Sequence, residues 1–167
     1  HVNPKALTIT ANNRTKTYGS TYTFAGNEFS TSGLVNGNTV TSATLTSGGA
    51  AGTANVGNYA IVPSAAVGSG LSNYSITYVN GNFHVDPAAL TITANNQSKT
   101  YGSSYTFDGS EFTVGGTLYN GNTVNDVSFA SFGGFQTIGA GNYVIVPFGA
   151  TGSGLGNYNI NYVNGNF

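Results

Sequence analysis

The sequence predicts an all-β protein of two tandem modules, each an immunoglobulin-like β-sandwich, set end to end. Three observations carry that reading. The chain of 167 residues repeats itself at an interval of about 83. Its apolar residues alternate with polar ones, which is the period of a strand and not of a helix. Gly and Asn interrupt it roughly every dozen residues, too often for a helix of ordinary length. A β-grasp module with one short helix around Glu28–Leu34 is the alternative, ranked second because that segment has no 3.6-residue period.

The repeat is read from short motifs in a fixed order. ALTITANN at 6–13 recurs at 89–96, KTYGS at 16–20 at 99–103, YTF at 22–24 at 105–107, and EF at 28–29 at 111–112. One inserted residue near Tyr119 moves the offset from 83 to 84. NGNTV at 36–40 then matches 120–124, GNY at 57–59 matches 141–143, and IVP at 61–63 matches 145–147. YVNGNF closes the copies at 78–83 and 162–167, giving modules 1–83 and 84–167 in which well over half the aligned positions are identical. His1-Val2-Asn3-Pro4 opens the chain as His84-Val85-Asp86-Pro87 opens the second copy. The two copies are therefore expected to be cut in phase from a longer array, with neighbouring copies of the same repeat as partners.

Leu7-Thr8-Ile9-Thr10-Ala11 puts apolar residues on one face and threonines on the other. Tyr22-Thr23-Phe24 and Tyr74-Ser75-Ile76-Thr77-Tyr78 repeat the pattern. Two Asn-Gly pairs per copy have the form of two-residue hairpin turns, whose central residues need positive φ. They are Asn80-Gly81 with Asn164-Gly165, and Asn36-Gly37 with Asn120-Gly121. Roughly six to eight short strands result, with Leu7, Ile9, Tyr22, Phe24, Ile61, Ile76, Tyr78 and Phe83 as the expected core.

Charged residues are 5% of the chain, against about 25% in ordinary domains. A net charge of −1 with four basic residues leaves no stripe to track phosphates, so nucleic acid is not an expected partner. No apolar run reaches the roughly 18–20 residues of a spanning helix, so this segment is not expected to insert in a membrane. Its 11 Tyr and 10 Phe, with many Val, Ile and Thr, separate it from disordered chains. Cys is absent, which an oxidising compartment permits as readily as a reducing one. The chain opens at His1 with no signal peptide, so any targeting segment is expected outside it.

LTITANN followed by KTYG, NGNTV, GNYAIVP and NYSITYVNGNFHV resembles the MBG (mostly-β, glycine-rich) and YDG-type repeats of large bacterial adhesins and other secreted surface proteins. The likeness covers both copies almost entirely. It implies a secreted or bacterial cell-surface location and a repetitive, stalk-forming role, and it supplies no catalytic residues. The family often carries an acidic residue after the glycine of its YG motif and in its NGD turn. Here those positions are Ser20, Ser103, Asn38 and Asn122, which weakens any proposal of calcium at the turns.

His1 and His84 sit one repeat apart without the clustered partners of a metal or catalytic site. The acids are Glu28, Asp86, Asp108, Glu111 and Asp126, too few to supply calcium or to orient a base for a nucleophilic Ser. No catalytic, cofactor or metal residue is assigned, and no enzymatic activity is expected. Among so few charges, Lys16 and Lys99 are equivalent, as are Glu28 and Glu111. They are read as a salt bridge, as unrelated surface charges, or as a Lys–Asn amide crosslink promoted by a buried, protonated Glu, by analogy with other surface-fibre domains. The junction Phe83-His84-Val85-Asp86-Pro87 has no Gly or Ser run, and Pro87 restricts both itself and Asp86, so a stiff connector is expected.

The expected function is a structural spacer or stalk repeat of a secreted or cell-surface bacterial adhesin or extracellular fibre. One alternative is an adhesive module that binds surface polysaccharide, in which Tyr119, Phe132, Phe135 and Phe148, present only in the second copy, would make that copy the binder. The other is a self-assembling filament subunit, because edge strands with few charges are poorly protected against pairing. With so few ionisable groups, stability is expected to vary little with pH.

Overall fold

The computed structural model describes residues 1–167 as strands and one-turn 3-10 segments, with no α-helix. They form two compact units, His1–Asp86 and Pro87–Phe167. The division falls after Asp86, whereas the repeat alone places it after Phe83, and the last strand of the first unit gives the reason.

In the first unit, β1 (Lys5–Ala11), β2 (Arg14–Thr17), β3 (Phe29–Ser32), β4 (Val40–Thr46), β5 (Gly57–Gly68), β6 (Tyr74–Val79) and β7 (Gly81–Asp86) make two sheets. Their orders are β3-β1-β6 and β2-β7-β5-β4. The arm β1–β2 passes from the first sheet into the second, and the arm β6–β7 does the same beside it, in parallel. Lys5 faces Tyr74 in the first sheet, and Arg14 faces Phe83 in the second. Both partners lie 69 positions further on (5 to 74, 14 to 83), so one register runs through the crossing. Where the arms cross, the Asn82 N–H donates to Asn13 Oδ1 at 2.7 Å. The remaining pairs are antiparallel. Each sheet is therefore mixed, unlike the antiparallel pair of an immunoglobulin-like sandwich, because the first and last arms are neighbours running the same way.

Alternation decides which side faces inwards. Leu7, Ile9 and Ala11 are buried while Thr8 and Thr10 are half-buried. Leu7, Ile9 and Tyr74 pack with Val40 and Ala66 of the other sheet, so the two sheets share a core. Ile61, Phe83 and Val85 are wholly buried, each contributing about 1.5–3 kcal/mol by leaving water. Tyr22 and Phe24 stand edge-on to Phe83, with ring centroids at 5.3 and 5.9 Å.

Several local expectations are corrected. Glu28–Leu34 holds no helix; its residues Phe29–Ser32 are strand β3, paired to β1. Tyr22-Thr23-Phe24 lies outside any strand, and its rings reach Phe83 from an irregular segment. Tyr78 is exposed rather than core, and its hydroxyl accepts the Ala66 N–H at 2.9 Å. That contact covers a bulge where Ala65, at φ 46°, breaks the β4–β5 register.

Neither Asn-Gly pair closes a hairpin. Asn36 and Gly37 have the expected positive φ, 56° and 69°, but β3 and β4 on either side belong to different sheets. Asn80-Gly81 likewise carries the chain from β6 in one sheet to β7 in the other. Gly81 is needed there for close approach. A Cβ on it would lie 2.5 Å from the Ala11 carbonyl oxygen, a contact no side chain tolerates.

The second unit repeats this plan with β8 (Ala88–Ala94), β9 (Phe112–Gly115), β10 (Thr123–Ala130), β11 (Val144–Ser153), β12 (Tyr158–Val163) and β13 (Gly165–Asn166). Its sheets are β9-β8-β12 and β10-β11-β13. β8 and β12 are parallel, Ala88 facing Tyr158 and Thr93 facing Val163. Asn96 Oδ1 accepts the Asn166 N–H at 2.8 Å, as Asn13 does in the first unit. One further ladder bond follows, the Gln97 N–H donating to Asn166 O at 3.0 Å. The counterpart of β2, residues 97–100, is not a strand.

Candidate functional site

The charged residues that recur in both copies anchor turns. Glu28 is buried, and its Oε1 accepts the Ala25 N–H at 2.9 Å while Oε2 accepts those of Gly26 and Asn27 at 2.9 and 3.1 Å. The Tyr22 hydroxyl donates to Oε1 at 3.4 Å and accepts from Arg14 Nε at 3.0 Å. Burial pushes the Glu28 carboxyl up, but the backbone N–H groups around it outweigh burial and hold it below its ordinary value. Glu111 repeats the arrangement with the Asp108 and Gly109 N–H groups, both at 3.1 Å, and with the Tyr105 hydroxyl at 3.1 Å.

Lys16 is buried too, and it points elsewhere. Its Nζ donates to the carbonyl oxygens of Ser20, at 2.7 Å, and of Ala51. It thereby ties the Tyr18-Gly19 turn, with Gly19 at φ 87°, to the segment after the first 3-10 turn. Lys99 does the same through Ser103 O at 2.9 Å and Phe135 O at 3.0 Å. The two Lys–Glu pairs are thus neither salt bridges nor unrelated surface charges. Each carboxylate is occupied by amide donors, and in Glu28 those donors hold the acid ionised, the opposite of the protonated acid that a Lys–Asn crosslink requires.

Asn38 has a role that explains its departure from an acidic residue. Its Nδ2 donates to the Tyr74 hydroxyl at 3.1 Å, which also accepts the Val35 N–H at 3.0 Å. A carboxylate has no proton to give at that position. Asn122 makes the same contact to Tyr158 at 3.2 Å.

The junction residues are a strand, not a linker. Phe83 and Val85 are core, and His84 and Asp86 alternate with them on β7, a strand paired to both β2 and β5. His84 Nε2 and Asp86 Oδ1 are 3.2 Å apart, and His84 Nδ1 lies 2.9 Å from Asn58 Oδ1. The Tyr18 N–H donates to Asp86 O at 2.8 Å. Pro87, with no N–H to offer, follows directly.

The second unit carries an aromatic cleft of about 1000 Å³. Phe107 and Phe129, with centroids 5.2 Å apart, lie together in it. Phe132 and Phe135, 73% and 60% exposed, flank it alongside Tyr143 and Val146. Phe148 is exposed but does not line the cleft, and Tyr119 lies at the Asn122 turn, its N–H on the Tyr158 hydroxyl at 2.7 Å. At the positions of Phe132 and Phe135 the first copy has Gly48 and Ala51.

The ordered motifs, the repeated turn anchors and the two all-β units agree with a family model, the MBG domain of YGX type, which matches residues 7–84 and again 90–167. The chain belongs to the MBG domain family. Comparison with curated proteins and with solved structures gave no match. The YG of each MBG module is the Tyr18-Gly19 or Tyr101-Gly102 turn that Lys16 or Lys99 holds. Val85 and Asp86 fall between the two matched segments, yet they fold as part of the first MBG module.

Sequence reasoning missed Asn13 and Asn96, Tyr18, Tyr74 and Val85. The duplicated ANN of ALTITANN was a signal for the first pair. Nothing local marks Val85 as core, since its partners Lys16 and Gly57 are distant in sequence.

Proposed function

We propose that the chain is a structural spacer, a pair of tandem MBG modules from a secreted or cell-surface bacterial adhesin or extracellular fibre, carrying length and tension without catalysis. The observation behind this reading is the parallel ladder between the strands by which the chain enters and leaves a module. Tension on a tandem chain pulls β1 towards its N-terminus and β7 towards its C-terminus. In parallel neighbours this loads the hydrogen bonds of Lys5–Thr10 with Tyr74–Val79 and of Arg14–Thr17 with Phe83–Asp86 together, in shear. Forced unfolding is governed by the unfolding rate, and a ladder that must yield all at once keeps that rate low. The turn anchors support the same reading. Glu28 and Lys16 are occupied by backbone groups of their own module, not aimed into a cleft.

Stretching single molecules tests this. Pulled by its ends, the chain is expected to unfold in two steps of roughly 25 nm each, from about 3.6 Å per residue. Pulled instead through attachments at the paired residues Thr46 and Val62, the first module unzips bond by bond at clearly lower force. Equal forces in the two directions contradict the reading.

The aromatic cleft favours a second reading, an adhesive module for a surface polysaccharide. Exposed faces of Phe132 and Phe135 offer stacking for sugar C–H groups, and Gln136 and Asn142 in the lining offer amides for hydroxyls. Titration with soluble oligosaccharides, compared with Phe132→Ala, tests it. Binding that disappears in the variant supports the adhesive role, and no binding by the unmodified chain sinks it.

A further inference from the structure

The modules share one frame beside β4 and β10 and differ in what stands on it. Ser47 and Ser131 cap the 3-10 turns Gly48–Ala50 and Phe132–Gly134, their side chains accepting the Gly49 and Gly133 N–H groups. The backbone that follows is alike, with φ −68° at Ala51 and −74° at Phe135. On this frame the first module carries Leu45, Gly48, Ala51 and Gly52, where the second carries Phe129, Phe132, Phe135 and Gln136. Side chains three apart on a 3-10 turn lie on one side, so Phe132 and Phe135 stand together, with centroids 6.2 Å apart. The turn beneath them is pinned. The Tyr105 N–H donates to Gly134 O at 2.9 Å, and Lys99 Nζ to Phe135 O at 3.0 Å. Two exposed rings on a fixed turn add little to the core of their own module, and they form a surface preorganised for a ligand.

Phe107 and Phe129 line the same cleft, and no charged residue does. The charges that touch its lining residues are committed elsewhere. Lys99 Nζ is held by the Ser103 and Phe135 carbonyls, and Glu111 by amide N–H groups and the Tyr105 hydroxyl. Ring faces remain, together with the neutral polar side chains of Ser104, Thr106 and Gln136. A charged group entering such a cleft gives up hydration and meets no opposite charge. A volume of about 1000 Å³ is at the upper end of ordinary ligand sites, room for more than one sugar unit. We propose that the cleft takes an uncharged glycan, a short run of neutral hexose units. Sugar C–H faces lie on Phe132 and Phe135, and hydroxyls meet the Gln136 amide. This rests on the adhesive reading of the second module and specifies its sugar. The chain has one such site, because Gly48 and Ala51 offer the first module no platform.

The test is an NMR titration of the isotope-labelled chain with soluble oligosaccharides of three classes: neutral (glucose, mannose and galactose oligomers), acidic (galacturonate) and basic (glucosamine). At least one neutral oligomer is expected to saturate a single site, shift the amides of 132–136, and bind about tenfold or more tightly than either charged class. Its affinity should not change between about 50 and 500 mM salt. Phe132→Ala and Phe135→Ala, both at exposed positions, should each abolish the shifts. Phe148→Ala, exposed but outside the cleft, should leave them intact. A charged oligomer that binds as tightly as the neutral ones overturns the proposal and leaves the adhesive reading standing. Binding that survives both Phe132→Ala and Phe135→Ala, or that fills two sites, also overturns it. So does binding that vanishes when the chain is lengthened after Phe167 by His-Val-Asp, since the platform is built from residues 129–136. No binding in any class removes the adhesive reading and this proposal with it.

Discussion

The Asn82 N–H donates to Asn13 Oδ1 at 2.7 Å at the point where two parallel arms leave one sheet for the other. Asn96 and Asn166 repeat the contact at 2.8 Å. It bridges two ladders that share one register, so each arm behaves as a single long strand. Asn13→Ala is expected to cost about 0.5–1.5 kcal/mol, the net worth of one hydrogen bond. The cost should appear as a lower urea midpoint with unchanged slope, and a midpoint that does not move would show that the ladders hold without the bridge.

Gly81 sits where the arms are closest. A Cβ there meets the Ala11 carbonyl oxygen, which is backbone and cannot turn aside. Gly81→Ala is expected to destabilise the first module by more than about 2 kcal/mol, in the range of strained core insertions. Gly37→Gln makes a useful contrast. Gly37 has nothing within 4 Å of its Cβ position, and its φ of 69° is its sole constraint, so roughly 1–2 kcal/mol is expected. Thermal unfolding of both variants ranks them, and the reverse order would refute the assigned roles.

Ionisation should act only at the extremes of pH. The Glu28 carboxyl lies below its ordinary 4.5 in the folded chain, so its stabilisation is complete above pH 4.5 and is lost as pH falls through the folded value. Burial holds the Lys16 ammonium below its ordinary 10.5. The unfolded chain then binds more protons between the folded value and 10.5, and stability rises with pH there. Between about pH 5 and 9 little change is expected. Glu28→Gln should cost about 2 kcal/mol at pH 7, because it removes charge-assisted bonds. It should also reduce the acid-side loss. Urea unfolding of both proteins at pH 7 and pH 3 checks this, and an equal acid loss in each would show that other groups control it.

The position of Val85 predicts where a module can be cut. A chain ending at Phe83 lacks a wholly buried side chain and the partner of β2. Residues 1–86 should therefore be more stable than residues 1–83 by about 2 kcal/mol or more. Amide exchange at Thr15–Thr17 should be slow in the longer chain and fast in the shorter. Equal protection would move the boundary back to the end of the repeat.

What could be read in advance follows from physical range. Strand identity in β1 and β6 is local, a matter of Leu, Ile and Thr in alternation, and was legible. Burial of Leu7, Ile9, Ile61 and Phe83 was legible for the same reason. Strand partners were not. Asn80-Gly81 has the local chemistry of a hairpin, but the parallel neighbour 69 residues away decides where β6 and β7 go. Tyr78 alternates correctly and is still exposed, because the bulge at Ala65 offers its hydroxyl an N–H. The Lys16 and Glu28 contacts run to backbone groups that no side-chain pattern marks. The aromatics of the second copy were legible as a difference between repeats, while Phe107 and Phe129 joined the cleft only through the fold.

The most direct test of the spacer account is solution scattering of one, two and four tandem modules, each cut after its His-Val-Asp segment, at concentrations well below 1 mM. The maximum dimension should grow in proportion to module number and stay independent of concentration. Particles that collapse to a compact form, or whose length stops increasing with added modules, would contradict it.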